Sequence, residues 1–143
     1  MAKQRASKQL RRWSEHLRSY KRHRRTLIKE LDQILTEGTK QRIETATTPD
    51  GKPHAPLSPE YLKRKIKSGY DPRIWHRTGK AANAVKTRTT NKGTMIIDID
   101  TPYADYVDKG TKHAPARPVL GLSDEEEQKI EERIAELFNK VTK

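Results

Sequence analysis

The first 37 residues contain neither glycine nor proline, and within them apolar side chains return every three or four positions. They fall at Leu10, Trp13, Leu17 and Tyr20, then at Leu27, Leu31 and Ile34, with Arg24 at the one missing step. That spacing places every apolar group on one side of an α-helix. A helix over about residues 5 to 36 is therefore predicted, a rod on the order of 45–50 Å at 1.5 Å per residue. Its basic residues Arg11, Arg12, Arg18, Lys21, Arg22 and Arg25 lie largely off the apolar seam. The seam should pack on another surface while the basic side faces solvent or phosphate. Gly38 is read as the end of this rod, with a second helical piece running on through Arg42 and Ile43.

Charge reinforces this polarity. Residues 1–25 carry ten Lys or Arg against one acid, Glu15, whereas residues 123–143 carry four against seven, within a chain whose net charge is +12. The N-terminal end is thus suited to a polyanion or an acidic protein surface, and the C-terminal end is not. Only 31% of the 143 residues are apolar and 35% are charged, well below the roughly 45–50% apolar content of an ordinary globular domain. One domain with an appendage is the expectation, its buried surface completed against neighbouring subunits. With no cysteine, disulfides and thiolate chemistry are excluded. No apolar run is long enough for a signal peptide or a membrane span, so a protein of the cytoplasm with no membrane partner is expected.

Beyond Gly38, turn-formers accumulate from Thr47 to Pro53, and a loop must follow. Ser58-Pro59-Glu60 reads as N-cap, first-position proline and first-turn acid, opening a short helix that carries Tyr61, Leu62 and Ile66. Gly69 to Pro72 ends it, and Thr78 is placed to cap another short helix over Gly79 to Ala84. Val85, Thr87 and Thr89, then Asn91-Lys92-Gly93, then Met95, Ile97 and Ile99 form the clearest β-hairpin in the chain. A helical turn over Pro102 to Lys109 should end at Gly110, and Ala114-Pro115-Ala116-Arg117-Pro118 must be extended. Ser123 with Glu126 makes a capping box for a last helix whose stripe is Ile130, Ile134, Leu137, Phe138 and Val141.

The order of these phrases resembles the phage virion morphogenesis family, the tail-completion or neck proteins of Mu-like tailed phages. The matching residues are Arg42-Ile43, Pro49-Asp50-Gly51, Pro56-Leu57-Ser58-Pro59 with Lys65 beyond, Thr78-Gly79, Tyr103-Ala104 with Gly110-Thr111, and Pro115-Ala116-Arg117-Pro118 leading into Leu120-Gly121. They cover roughly residues 27–143. The pattern departs at His54, where the family tends to have tryptophan, at Ala81 for leucine, at Val107 for histidine and at Val119 for phenylalanine. Repacking by Trp75 or Trp13 would compensate. The resemblance implies an α+β subunit: a long N-terminal helix, a small antiparallel sheet with a central hairpin packed against helices, and an amphipathic C-terminal helix. It implies assembly as a ring at the head–tail joint of a virion, built in the host bacterial cytoplasm, with other neck, connector or tail proteins as partners. The expected division is a basic arm, residues 1–36, and a core, residues 37–143, that includes the C-terminal helix 123–143.

No constellation of reactive groups supports an enzyme. Asp98 and Asp100 with Asp105, Asp108 and histidines 54, 76 and 113 are the only candidate metal set, and alternation assigns the first two to the solvent face of a strand. Ser58 is an N-cap with no base spaced for nucleophilic chemistry. No catalytic residue, metal or cofactor is expected. Arg117, held between two prolines, is suited to a bidentate bond to a carboxylate of its own or an adjacent subunit, with Asp105 and Asp108 the first acids to test. Arg117, Tyr103 and Trp13 are the candidate inter-subunit contacts. Arg11, Arg12, Arg18, Lys21, Arg22 and Arg25 are candidates for contact with double-stranded DNA in a channel or with an acidic partner. The leading expectation is a head–tail joining protein, the alternative a DNA-binding protein that acts without sequence preference through its basic helix.

Overall fold

A computed structural model describes residues 2–76, 79–91 and 94–142, with the side chains of residues 11, 12 and 14–141 among them. Its elements are α1 (Ala2–Thr45), α2 (Pro59–Lys67), α3 (Lys80–Asn83), β1 (Val85–Thr89), β2 (Met95–Ile99), α4 (Ala104–Lys109) and α5 (Asp124–Thr142). The α+β class, the long first helix, the two-stranded antiparallel sheet and the C-terminal helix are as the sequence predicts. Among the described residues no helix is long and apolar enough to cross a membrane. The chain forms two compact units, Ile34–Glu126 and Met1–Gln33 with Glu127–Lys143.

In the unit Ile34–Glu126 the apolar core is Ile43, Trp75, Ala81, Val85, Ile99, Ala104 and Val119, with Ile97, Tyr103 and Val107 among the groups packed against it. The expected hairpin is formed by β1 and β2. Val85 pairs with Ile99, Thr87 with Ile97 and Thr89 with Met95, so alternation sends Val85 and Ile99 inward. Thr90 and Thr94 close the loop by a 2.8 Å backbone bond; Lys92 and Gly93 of the expected turn lie outside the described residues, as does the expected cap Thr78. Trp75 does fill core space where the family pattern is truncated, and Ala81 and Val119 are fully buried beside it. The side chain of Trp13 lies outside the described residues.

Ser58 caps α2 by accepting the Tyr61 N–H at 3.3 Å, and Pro59 takes the first helical position. The buried face of this helix is not its apolar one. Tyr61 and Ile66 are exposed, whereas Lys65 is buried and its ammonium donates to the Arg73 carbonyl at 2.6 Å. A long aliphatic stem fills apolar space as well as a branched side chain does, provided its charged end finds an acceptor.

Gly38 corrects the expected break. The first helix runs through it without interruption to Thr45. A glycine inside a helix costs about 1 kcal/mol relative to alanine, but here the missing side chain is a requirement of packing: a Cβ on Gly38 would lie 1.9 Å from Glu126 Oε1. The helix ends instead at Ala46, whose φ of 53° is left-handed, with the Thr47 N–H returning to the Arg42 carbonyl at 3.2 Å. That six-residue closure is the usual way of satisfying the last carbonyls, and glycine normally occupies its left-handed position.

The two sites give opposite expectations on one helix. Gly38→Ala should destabilise the protein by about 1–3 kcal/mol although alanine is the better helix former, and Ala46→Gly should stabilise it by about 1 kcal/mol. Urea unfolding followed by circular dichroism checks both; a Gly38→Ala protein as stable as the parent would show that Glu126 has room to move.

Candidate functional site

Several polar side chains of the unit Ile34–Glu126, among them the buried Arg42 and His54, meet on one extended strap, residues 117–121. Having no sheet partner, its backbone N–H and C=O groups must be satisfied by other means. Arg42, on α1, donates from Nε to the Val119 carbonyl at 2.7 Å, from Nη2 to the Gly121 carbonyl at 2.9 Å and from Nη1 to Glu126 Oε1 at 2.5 Å. Asp108, on α4, accepts the N–H groups of Val119 and Leu120 at 2.9 and 3.1 Å. His54 donates from Nε2 to the Pro118 carbonyl at 2.7 Å, which fixes its tautomer because a carbonyl can only accept. Trp75 Nε1 donates to the Arg117 carbonyl at 3.1 Å.

Glu126 serves two partners. Its Oε2 accepts the Ser123 N–H at 3.2 Å while the Ser123 hydroxyl accepts the Glu126 N–H at 3.1 Å, completing the expected capping box of α5. Its Oε1 meets Arg42 in the notch left by Gly38. Box and ion pair thus lock the start of α5 to the last turns of α1.

Arg117 lies inside the fold rather than on its rim. It is 8% exposed, and it donates from Nε and Nη2 to the carbonyls of Ala55 and Pro56 at 2.7 and 2.9 Å. Burial pushes its pKa down from the ordinary arginine value, and the charge is retained because carbonyl dipoles replace lost water. Neither of the acids first considered for it is its partner within the chain. Asp108 is turned to the strap, and Asp105 lies 3.8 Å from Lys109 on an exposed surface.

A groove of about 1120 Å³ opens on the same unit. Tyr61 and Arg64 line it from α2, Lys80 from α3, Tyr106 from α4 and Tyr103 from the residue before α4, and Lys86 and Asp100 from the hairpin end. Arg64 sits 6.0 Å above the Tyr61 ring, close enough for a cation–π contact. Lys86 and Asp100 pair at 2.7 Å, and this hydrogen bond and charge lower the Asp100 pKa and raise that of Lys86, so both stay ionised. Two lining hydroxyls, Thr101 Oγ1 and Tyr103 Oη, are buried with no hydrogen-bond partner among the described residues.

The unit built from residues 1–33 and 127–143 carries the basic arm. Arg11, Arg12, Arg18, Lys21, Arg22 and Arg25 are all exposed on α1. At 100° per residue, Arg11, Arg18, Arg22 and Arg25 fall within a stripe about 60° wide, opposite the apolar seam. Of the seam residues nearer the N-terminus whose side chains are described, Leu17 is 60% and Tyr20 44% exposed. Farther along, Leu27 and Leu31 are half-buried, as are Ile130, Leu137 and Val141 of α5, and Arg133 lies 3.7 Å from Glu30.

The candidate metal set is dispersed. Asp98 accepts the neighbouring Ile99 N–H at 2.8 Å, His76 meets Glu44 at 3.1 Å, and among the described residues no group of three or more His, Asp or Glu could hold a metal ion. Sequence reasoning named Arg42 only as part of a phrase and Glu126 only as a cap. Nothing local to either residue signals a pairing 84 positions apart.

A family model described as the phage virion morphogenesis family matches residues 6–139. The match begins within the basic arm, most of which lies outside the stretch 27–143 covered by the sequence phrases. No curated protein and no solved structure matches the chain.

Removing one member of a buried ion pair leaves the other charge uncompensated, at about 3–5 kcal/mol. Arg42→Ala and Glu126→Ala should each destabilise by that order, Arg42→Ala the more because it also releases two strap carbonyls. The double variant should lose clearly less than the two losses together. Additive losses in a denaturant double-mutant cycle would mean that the pair is not coupled.

Proposed function

The chain belongs to the phage virion morphogenesis family, and from that premise we propose that it is a neck or tail-completion subunit that joins head to tail as part of an oligomeric ring. Membership itself gives the chain a structural role in phage assembly and an association with the virion, and it points away from enzymatic chemistry. The observation that carries the finer reading is the span of the match, which takes in arm and core together. It is supported by large apolar side chains on the surface: Leu17, Ile66 and Tyr106 are each more than half exposed, a surface suited to protein partners. In this reading residues 37–143 build the ring, and residues 1–36 meet a neighbouring connector or tail protein or the DNA that passes through the joint.

The exposed arginine stripe favours a second reading, in which phosphate binding is the primary activity. A stripe of Arg11, Arg18, Arg22 and Arg25 follows one strand of phosphates without touching base edges, so affinity is blind to sequence.

Phage lacking this chain should accumulate filled heads and finished tails that do not join, seen by negative-stain electron microscopy, and supplying the full-length protein should restore joined particles. Particles that join normally without it would defeat the neck assignment. For the arm, deletion of residues 1–25 should abolish duplex binding, and the intact protein should lose affinity with salt at a slope of about −0.9 per phosphate neutralised. Duplex binding that survives the deletion excludes the arm as its source.

A further inference from the structure

We propose that the groove lined by α2, α3 and α4 receives the acidic α5 of a second copy, so that the core of one protomer holds the C-terminal helix of the next. The inference rests on the ring reading and names the contact that would build it.

The first argument is electrostatic. A chain of net charge +12 repels its own copies wherever basic surface meets basic surface. The segment of reversed sign is α5, with seven acids and three basic residues between Asp124 and Thr142. Self-association is electrostatically favoured where this helix meets a basic surface of a neighbour. Of the five Lys or Arg among the described residues lining the groove, Lys65 and Arg117 are buried on backbone carbonyls and Lys86 is paired with Asp100, the one carboxylate, which leaves Arg64 and Lys80 as its basic face.

The second argument is the match of side chains. Glu127, Glu131, Ile134 and Phe138 follow one another at intervals of four, three and four along α5, which places them on one stripe, and all four are exposed. Ile134 is 48% exposed, unusual for a branched aliphatic group. The groove offers the complements: Arg64 and Lys80 for the carboxylates, and the rings of Tyr61 and Tyr106, which are 40% and 65% exposed, for the apolar pair. The buried Thr101 and Tyr103 hydroxyls lack partners among the described residues, and polar groups of an arriving segment would supply them. At about 1120 Å³ the space exceeds the roughly 300–1,000 Å³ of ordinary small-molecule pockets and suits a polypeptide. Because helix and groove are different surfaces, the contact is head-to-tail, the kind that closes into a ring when its rotation allows.

The absence of cysteine from the chain gives a direct test on the full-length protein. Ile134→Cys and Tyr106→Cys, made in separate chains, should form a disulfide-linked dimer when mixed under mild oxidation, and more of it than either variant forms alone. Glu127→Lys with Glu131→Lys, and separately Arg64→Glu with Lys80→Glu, should each weaken self-association by about 10-fold or more in analytical ultracentrifugation, and the two reversed proteins should associate with each other. Circular dichroism verifies that these surface variants are folded. If oligomers form but neither cross-link nor respond to charge reversal, the inference fails and the ring reading stands. If the wild type stays monomeric at every concentration, both fail. If reversal at the groove spares the oligomer but removes binding to a connector or tail protein, or to DNA, the groove has a different occupant and the inference is overturned.

Discussion

The ion pair between Arg42 and Glu126, seated in the notch of Gly38, is the interaction on which the rest of the core depends. It joins the two ends of the unit Ile34–Glu126, and each member also bonds a second group. Arg42 holds the carbonyls of Val119 and Gly121, and Glu126 completes the cap of α5. A buried ion pair is not in general a strong source of net stability, because desolvation offsets most of the attraction. Its value here is geometric. Arginine has five donors in a rigid fork, and three of its nitrogens meet three different oxygens in one place. A hydrophobic replacement of equal volume would bury as much surface but leave two strap carbonyls and the helix start without their partner.

The same logic explains how a chain so poor in apolar residues forms a core. Among the described residues seven apolar groups are buried, and the buried polar or charged groups Thr39, Arg42, His54, Lys65, His76, Arg117 and Glu126 are as many. Burial of apolar area supplies the non-directional part of the stability, and the polar set fixes which compact arrangement is adopted, since every mismatched partner leaves an unsatisfied buried group. Arg117 to Gly121 show this most clearly. They form no regular element, yet side chains from α1, α4 and the loops before α2 and α3 bond their backbone.

Features encoded within a few residues were legible in the sequence: the hairpin and its inward face from alternation, the Ser58 and Ser123 caps, the end of α4 at Gly110. Gly38 misled because the local rule for glycine is a statement about conformational freedom, whereas this glycine is selected by a carboxylate 88 positions away that needs the space of a Cβ. The intrachain partners of Arg117 were hidden in the same way. Two flanking prolines correctly implied a rigid, extended setting, but a guanidinium between them finds carbonyls as readily as carboxylates, and which it finds is set by the loop at Ala55 and Pro56. The stripe on α2 was read from apolar spacing, and Lys65 took the buried face because its terminal acceptor, the Arg73 carbonyl, is supplied by tertiary structure. The groove had no local signature, since α2, α3, α4 and the hairpin end each contribute only a few of its polar groups.

The two readings of the basic arm, as a protein contact and as a DNA contact, are compatible because they use different faces of one helix. Leu17 and Tyr20 project from the side opposite the stripe of Arg11, Arg18, Arg22 and Arg25. Docking the bare apolar side on a protein leaves the arginines in water, and it also removes the conformational freedom that an isolated arm would surrender on meeting a phosphate backbone. Positive charges held on a docked helix then act as a fixed lining rather than as independent side chains, and their attraction for phosphate remains sequence-blind and sensitive to salt. The helix that the spacing of its apolar residues first revealed is therefore best regarded as two surfaces on one element. Under the proposed function the apolar one would specify a protein neighbour, and the basic one would need only a polyanion within reach.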